Sequence, residues 1–303
     1  MTTSEPCGVL IVNKHEGPTS HDIVSMIRKL YHTKKVGHTG TLDPMATGVL
    51  VVLIGRAAKA AEYLVSDRKK YSATLRLGVT TDTEDISGEV LTRFEGKLPS
   101  EDEVKKACGS FLGKSKQIPP MYSALKVGGR KLVDLAREGK TIEREARDIE
   151  IFDIKCEKIN ESDYALDVYA SSGTYIRTLC RDIGDMLGCG AVMATLCRTE
   201  TGGFPIEKSY TIEELQNMSD DERGTLLLPI ESLFSSLPSV KLSAFYEKLC
   251  RSGCEIYQKK IKTNIEVGKR VRICSENGEF FALGEVREYE DGSAVKAIKT
   301  FML

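Results

Sequence analysis

The sequence predicts an α+β protein of two domains, and three observations carry this. Its 303 residues are long for one compact domain and comfortable for two. Segments with strand and helix signals alternate irregularly, which argues against a doubly wound parallel sheet. The final part of the chain holds only short strand-like runs, separated by N-G and D-G pairs that signal hairpins.

The elements follow from local pattern. G-V-L-I-V-N (8–13) reads as a short buried strand. Thr19 and Ser20 are N-cap candidates for a helix over 21–31, where Ile23, Ile27 and Leu30 recur at helical spacing. G-H-T-G-T-L-D-P-M-A-T-G (37–48) is too rich in glycine and turn formers for a regular element. V-L-V-V-L-I (49–54) is an apolar strand, and residues 56–65 read as a helix. Y-S-A-T-L-R-L-G (71–78) alternates like a half-buried strand. T-T-D-T-E-D-I-S-G (80–88) is a polar loop, and a helix is expected over 101–112. Residues 113–147 read as a mobile, positively charged insertion, because I-P-P-M-Y-S-A-L-K-V-G-G-R-K (118–131) is basic and broken by prolines and glycines. Its tyrosine, Tyr122, reads as exposed. Strands are expected over 148–158 and 163–170, and S-G-T-Y-I-R (172–177) opens a helix to about 186. The polar stretch 215–240, with Pro229 and Pro238, reads as a linker. V-R-I-C (271–274), E-F-F-A-L-G-E-V (279–286) and A-V-K-A-I (294–298) are the short strands of the tail.

Composition excludes several classes. No stretch approaches the roughly 20 apolar residues of a membrane helix. The opening M-T-T-S-E-P-C has no basic run leading into an apolar one, so no secretory signal is expected and the cytoplasm is the default. Nine scattered cysteines do not form a secreted disulfide framework. Only Cys250 and Cys254 lie close together, far from all four histidines, so buried reduced thiols are expected rather than zinc. Net charge is −1, yet its distribution is uneven: +4 over 1–70, −8 over 71–240 and +3 over 241–303. Residues 114–147 hold 9 basic and 4 acidic side chains. Cations gathered on one face would grip phosphate, whereas dispersed ones would be plain solvated surface, and the sums alone do not decide between these.

Three residues invite a chemical reading. Asp43 precedes Pro44, whose ring pushes it into extended backbone within a glycine-bounded loop. Asp before Pro is also an ordinary turn former. Arg177, after a tight S-G-T, would hold a nearby carboxylate ionised, or would make a plain structural ion pair. Tyr71 would give a base a stacking surface, or would be core. No phosphate loop, complete dinucleotide fingerprint, H-E-x-x-H or G-x-S-x-G is present. A carboxylate, an arginine, a tyrosine and basic surface suit a reaction that needs neither redox cofactor nor nucleoside triphosphate.

Eight blocks, in order, resemble the TruB-type tRNA pseudouridine synthases over nearly the whole chain. They are N-K-x-x-G-P-T-S-H (13–21), G-H-T-G-T-L-D-P-M-A-T-G-V-L (37–50), K-Y (70–71), L-G-V-T-T-D-T-E-D (77–85), Q-I-P-P-M-Y-S-A-L-K (117–126), G-K-T-I-E-R-E-A-R (139–147), S-S-G-T-Y-I-R (171–177) and L-G-C-G-A (187–191). The resemblance implies a catalytic domain over 1–238, built on a mixed, mainly antiparallel sheet with flanking helices. Residues 113–147 would be its mobile RNA-binding insertion, and 239–303 a PUA-like RNA-binding domain. It implies that Asp43 is the essential aspartate, that Tyr71 stacks on the target base and takes part in proton transfer, and that Arg177 pairs with the aspartate. Asp85 would contact flipped nucleotides and His38 bases of the loop. Lys14, from the first motif, is grouped with the RNA-binding residues and read as structural support. Lys126, Arg130 and Lys131 are the insertion's candidate RNA contacts. Two departures stand out: His15 follows Lys14 where the family has proline, and Cys197 replaces an arginine in L-C-R (196–198).

The implied reaction converts the uridine at position 55 of the tRNA T loop to pseudouridine, without cofactor or metal, in a cytoplasmic monomer that grips the T-arm. The base must be flipped out to expose its reacting atoms. Asp43 then acts as nucleophile or base, by attack on the ring or by departure of the base with formation of an unsaturated sugar. The rival readings are a guide-dependent uridine isomerase and an RNA-binding or RNA-folding module.

Overall fold

Pattern becomes architecture through a nine-stranded sheet. The computed structural model describes residues 5–64 and 68–301, so the start of the opening segment and residue 65 of the helix expected over 56–65 lie outside the described residues. Across the sheet the order is Gly8–Lys14, Thr47–Ile54, Ala191–Thr201, Lys69–Leu77, Asp163–Ala170, Arg147–Lys158, Gly113–Gln117. Val36–His38 also pairs with Thr47–Ile54, and Phe204–Pro205 with Ala191–Thr201. All pairings are antiparallel except one: Cys197 opposite Thr47 and Arg198 opposite Gly48 run parallel. That short parallel contact brings the loop before Thr47 beside strand Lys69–Leu77.

Burial explains why these segments are strands. V-L-V-V-L-I is a continuous apolar run because both of its faces are covered. Val49, Val51 and Leu53 face Phe280, Leu283 and Phe301 of the C-terminal part, while Leu50, Val52 and Ile54 face the helix Ser20–Leu30. Strand Lys69–Leu77 alternates because only Tyr71, Ala73, Leu75 and Leu77 point inward, against the helices Glu101–Gly109 and Ile176–Leu187. Thr19 caps the first helix in a reciprocal box with Asp22. The chain ends in a five-stranded sheet ordered Ser239–Lys241, Arg270–Cys274, Phe280–Tyr289, Gly292–Thr300, Ile256–Tyr257.

Three expectations are corrected. The stretch 215–240 is not a linker. It holds the helices Ile212–Asn217 and Asp220–Thr225 and a 3₁₀ turn Ile230–Phe234, and Leu228 is hydrogen-bonded to Val9 in both directions at 2.9 Å. Its helices are too short to show a helical period. The helix expected over 56–65 is a 3₁₀ helix, Gly55–Tyr63, whose alanines pack under Thr47–Ile54. Tyr122 is half-buried, and its hydroxyl donates to Asp82 at 3.0 Å. The segment 113–147 begins and ends inside the main sheet, since Gly113–Gln117 pairs with Arg147–Ile151. Between them lie the hairpin of Lys126–Val127 with Arg130–Lys131 and the helix Leu132–Arg137.

Candidate active site

Residues 39–46 link Val36–His38 to Thr47–Ile54 and carry Asp43. Three buried polar side chains hold this loop by its backbone. Lys14, wholly buried, donates to the carbonyls of His15 at 3.0 Å, Pro44 at 3.0 Å and Ala46 at 2.6 Å. Ser20 accepts from Leu42 N–H at 2.8 Å and donates to its carbonyl at 3.0 Å. Arg198, 1% exposed, donates to Gly40, Thr41 and Val49 carbonyls at 3.0, 3.4 and 2.8 Å. The loop leaves through Gly48, whose φ of +97° and closeness to Arg198 admit only glycine, since a Cβ there would sit 2.3 Å from the Arg198 carbonyl oxygen. Such a loop is pre-organised: its shape does not depend on a ligand.

Asp43 meets Arg177 at 3.0 Å, Nε to Oδ2. Arg177 is 5% exposed and ties two further segments to the Asp43 loop. It donates to Thr83 carbonyl at 3.1 Å and Tyr122 carbonyl at 2.9 Å, and stands 3.6 Å from Asp85. Asp85 is buried and accepts from Thr83 Oγ1 at 2.8 Å and from Ser87 N–H at 3.0 Å. Burial raises the Asp43 carboxyl above the ordinary carboxylate range; Arg177 and Lys14 oppose the rise and Asp85 adds to it. Desolvation is thus the larger influence on the Asp43 carboxyl and the opposing charge of Arg177 the next.

A cleft of about 290 Å³ opens beside this pair, lined by Asp43, Lys69, Tyr71, Tyr175, Arg177 and Leu196 among others. Tyr71 is 8% exposed, and burial raises its hydroxyl above the ordinary tyrosine range. Lys69 donates to Ser172 at 3.3 Å across the cleft mouth. A second hollow of about 440 Å³, lined by Met45, Asp85, Tyr122 and Arg137, shares Asp43 and Arg177 with the first. Gln117 fixes the approach to Arg177, donating to Tyr175 carbonyl at 3.1 Å and accepting from its N–H at 2.8 Å. Glu84, in left-handed backbone at φ 64°, accepts from Thr178 Oγ1 at 2.6 Å and pairs with Arg181, which pins the Asp85 turn to the same helix.

The structure therefore gathers Asp43, Arg177, Tyr71 and Asp85, which lie far apart in sequence. His38 lies on the neighbouring strand with a buried Nδ1 that has no partner among the described residues; burial lowers its pKa, helped by Arg198 and His21. Lys14 stands beneath the loop with all three of its protons engaged. Lys126, Arg130 and Lys131 are exposed on the hairpin, with Arg130 paired to Glu138. Arg198, Ser20 and Gln117 were not picked out from sequence. Arg198 left two signals, its place in the L-C-R pattern and a charge at the end of the apolar strand A-V-M-A-T-L-C-R. Among the described residues no three His, Cys, Asp or Glu side chains are grouped to hold a metal ion, and no helix is long and apolar enough to cross a membrane.

Comparison with known proteins decides the family. The profile of the TruB family pseudouridylate synthase N-terminal domain matches residues 28–176, and that of the tRNA pseudouridylate synthase B C-terminal domain matches 177–235. The tRNA pseudouridine synthase B of Alkaliphilus oremlandii is 45% identical over 282 residues, covering 92% of this chain and 93% of that protein. The chain belongs to the TruB family of pseudouridylate synthases. The Clostridium novyi tRNA pseudouridine synthase B is 46% identical over 277 residues, 91% of this chain and 94% of that protein. Among solved structures, a chain of a Cbf5–Nop10–Gar1 complex superposes with TM-score 0.76 at 28% identity, covering 98% of this chain and 85% of that one. A chain of an H/ACA RNP bound to a substrate RNA containing 2'-deoxyuridine gives 0.74 at 25% identity, covering 99% and 86%. The α+β reading and the mixed, mainly antiparallel sheet agree with this TruB-type architecture, and the protein is a pseudouridine synthase.

Proposed function

We propose that this enzyme converts the uridine at position 55 of the tRNA T loop to pseudouridine, with Asp43 as the catalytic carboxylate. The observation that carries the reading is the Asp43–Arg177 pair, 3.0 Å apart at the edge of a cleft lined by Tyr71. The tRNA substrate is supported by the names of the relatives at 45% and 46% identity. Isomerisation breaks the bond from N1 to C1′, forms one from C5 to C1′, releases the C5 proton and places a proton on N1, so there is no net oxidation or reduction to be met by a redox partner.

Each residue has a place in this chemistry. The target base must leave the stack, which costs a few kcal/mol, and phosphate contacts from the basic hairpin would offset that. Tyr71 offers its ring to the flipped base. Asp43 provides the nucleophile or base in its ionised form. Arg177 orients that carboxylate through a charge-assisted hydrogen bond and opposes its protonation. Asp85 and Tyr122, joined through Arg177, border the second hollow, where a neighbouring nucleotide would be received.

The test is tritium release from tRNA labelled at C5 of uridine, with wild type, Asp43→Asn and a transcript lacking the T-loop uridine. Release is expected from wild type alone, with tRNA affinity of the variant within a few-fold. Wild-type turnover by Asp43→Asn would remove Asp43 from the mechanism. The likeness to chains of the Cbf5–Nop10–Gar1 complex and the H/ACA RNP favours one second reading, guide-dependent isomerisation. Activity of the purified chain on bare tRNA excludes it.

A further inference from the structure

Glu84 stands against its local backbone preference. Its φ of 64° is left-handed, a region that glycine or asparagine fills readily and longer side chains seldom enter. It is also buried, at 9% exposure. Its carboxylate is matched by one helix, Ile176–Leu187: Oε2 accepts from Thr178 Oγ1 at 2.6 Å, and Oε1 meets Arg181. Arg181 does not depend on this partner, because Asp182 on its own helix accepts from it at 2.6 Å. A buried ion pair adds little net stability once desolvation is counted, so stability alone does not account for a glutamate at this backbone position.

The same helix carries Arg177, next to Thr178, and Arg177 reaches the other way. Its Nη1 donates to Thr83 carbonyl at 3.1 Å and stands 3.6 Å from Asp85, while its Nε meets Asp43 at 3.0 Å. Residues 83–85 and 177–181 are thus clasped in both directions. On its other side the turn meets strand Ala191–Thr201 through backbone: Met193 N–H donates to Glu84 carbonyl at 3.1 Å, and Ile86 N–H to Met193 carbonyl at 3.0 Å. We propose that Glu84 is a positioning residue for the reaction: through Thr178 and Arg181 it sets the distance of the 83–85 turn from the helix, so that Arg177, anchored at Nη1, aims Nε at the Asp43 carboxylate. This rests on the reading of Asp43 as the catalytic carboxylate.

The experiment compares Glu84→Asn and Glu84→Gln with wild type in the tritium-release assay, each checked by thermal melting. Asparagine tolerates left-handed backbone, but its side chain is shorter by a methylene and falls short of Thr178. Glutamine keeps the length and an acceptor for Thr178 and loses the charge. Tyr122 carbonyl still holds Nη2 of Arg177 at 2.9 Å, so the displacement is partial. Glu84→Asn is expected to lower kcat by about 20-fold with KM within about threefold, and Glu84→Gln to stay within about threefold of wild type. Wild-type kcat in Glu84→Asn overturns the proposal, as does a loss confined to KM or one shared in full by Glu84→Gln. A readout independent of turnover separates it from the functional reading: the Nε–Hε resonance of Arg177 in ¹⁵N-arginine-labelled protein, assigned by its loss in Arg177→Lys. It is expected to move in Glu84→Asn, and an unmoved resonance overturns the proposal even if the chain proves inactive on tRNA. Should Glu84→Asn fail to fold, Thr178→Val decides: loss of one of the two partners of Glu84 is expected to lower kcat about fivefold and to move the same resonance, and an unmoved resonance again overturns the proposal.

Discussion

Replacing Lys14 by methionine separates loop support from stability. Lys14 is wholly buried, and burial lowers its pKa from 10.5 to about 8 although Asp43 and Glu16 oppose the fall. Such a fall corresponds to about 3 kcal/mol in favour of the neutral amine, a cost that the charged form carries at pH 7. Methionine removes that cost and fills a similar volume. It also removes three donors, with unequal consequences. Pro44 carbonyl keeps a bond from Gly17 N–H at 2.9 Å, and His15 is exposed, so water can replace the ammonium there. Ala46, wholly buried, loses the 2.6 Å donor to its carbonyl. An orphaned buried acceptor costs about 1–3 kcal/mol. Gain and loss nearly cancel, so the variant is expected to unfold in urea within about 2 kcal/mol of wild type at pH 7.

Its other properties should change. The sign is explicit: between about pH 8 and 10.5 the unfolded chain holds the Lys14 proton more tightly than the folded one, so this group makes wild type more stable as pH rises through that window. The variant lacks that rise, and the difference between the two proteins should shift by about 3 kcal/mol across it. Tritium release should fall at least about tenfold, because Asp43 loses both a neighbouring cation and the anchor under residues 44–46. Urea midpoints at a series of pH values, with the rate assay, test this. A loss above about 4 kcal/mol at pH 7, or parallel pH curves, would refute the reasoning.

Two more predictions follow from the site. Because burial raises the Asp43 carboxyl, its acid limb in kcat/KM should lie above pH 3.8: as pH falls the carboxylate protonates early and activity goes with it. Rates in a range where circular dichroism shows intact fold give the check, and a limb at or below 3.8 contradicts it. On the hairpin, Lys126 and Lys131 make no ion pair among the described residues, whereas Arg130 is paired with Glu138. Triple replacement by alanine should therefore reduce the slope of log affinity for tRNA against log salt by about 2 rather than 3, with kcat at saturation nearly unchanged; an unaltered slope would remove the hairpin from the RNA surface.

What could be read before folding, and what could not, divides along physical lines. Strands 8–14, 47–54, 69–77, 147–158 and 163–170 were legible because inward and outward positions leave a two-residue period, or a solid apolar run where both faces are covered. Asp43, Tyr71 and Arg177 were legible through their motifs. The 215–240 segment was misread because its helices are six residues each, and the polar caps Thr211 and Ser219 look like loop. Its apolar members, Leu215, Ile230 and Phe234, dock only once the first strand and the C-terminal sheet are in place. Lys14 was marked by its motif as structural support, but Arg198 was harder, since charged residues are rarely buried and the L-C-R pattern by itself gives it no role.

By itself the sequence determined the periodicities, the capped first helix, the hairpin turns and the loop around Asp43, all properties of neighbours along the chain. Tertiary structure alone decided which cations lie under that loop, which face of Lys69–Leu77 meets the cleft, and that desolvation outweighs Arg177 in setting the Asp43 carboxyl. Burial, and with it the strength of every charge in the site, depends on which distant segments cover it, and that exists only after the sheet has assembled.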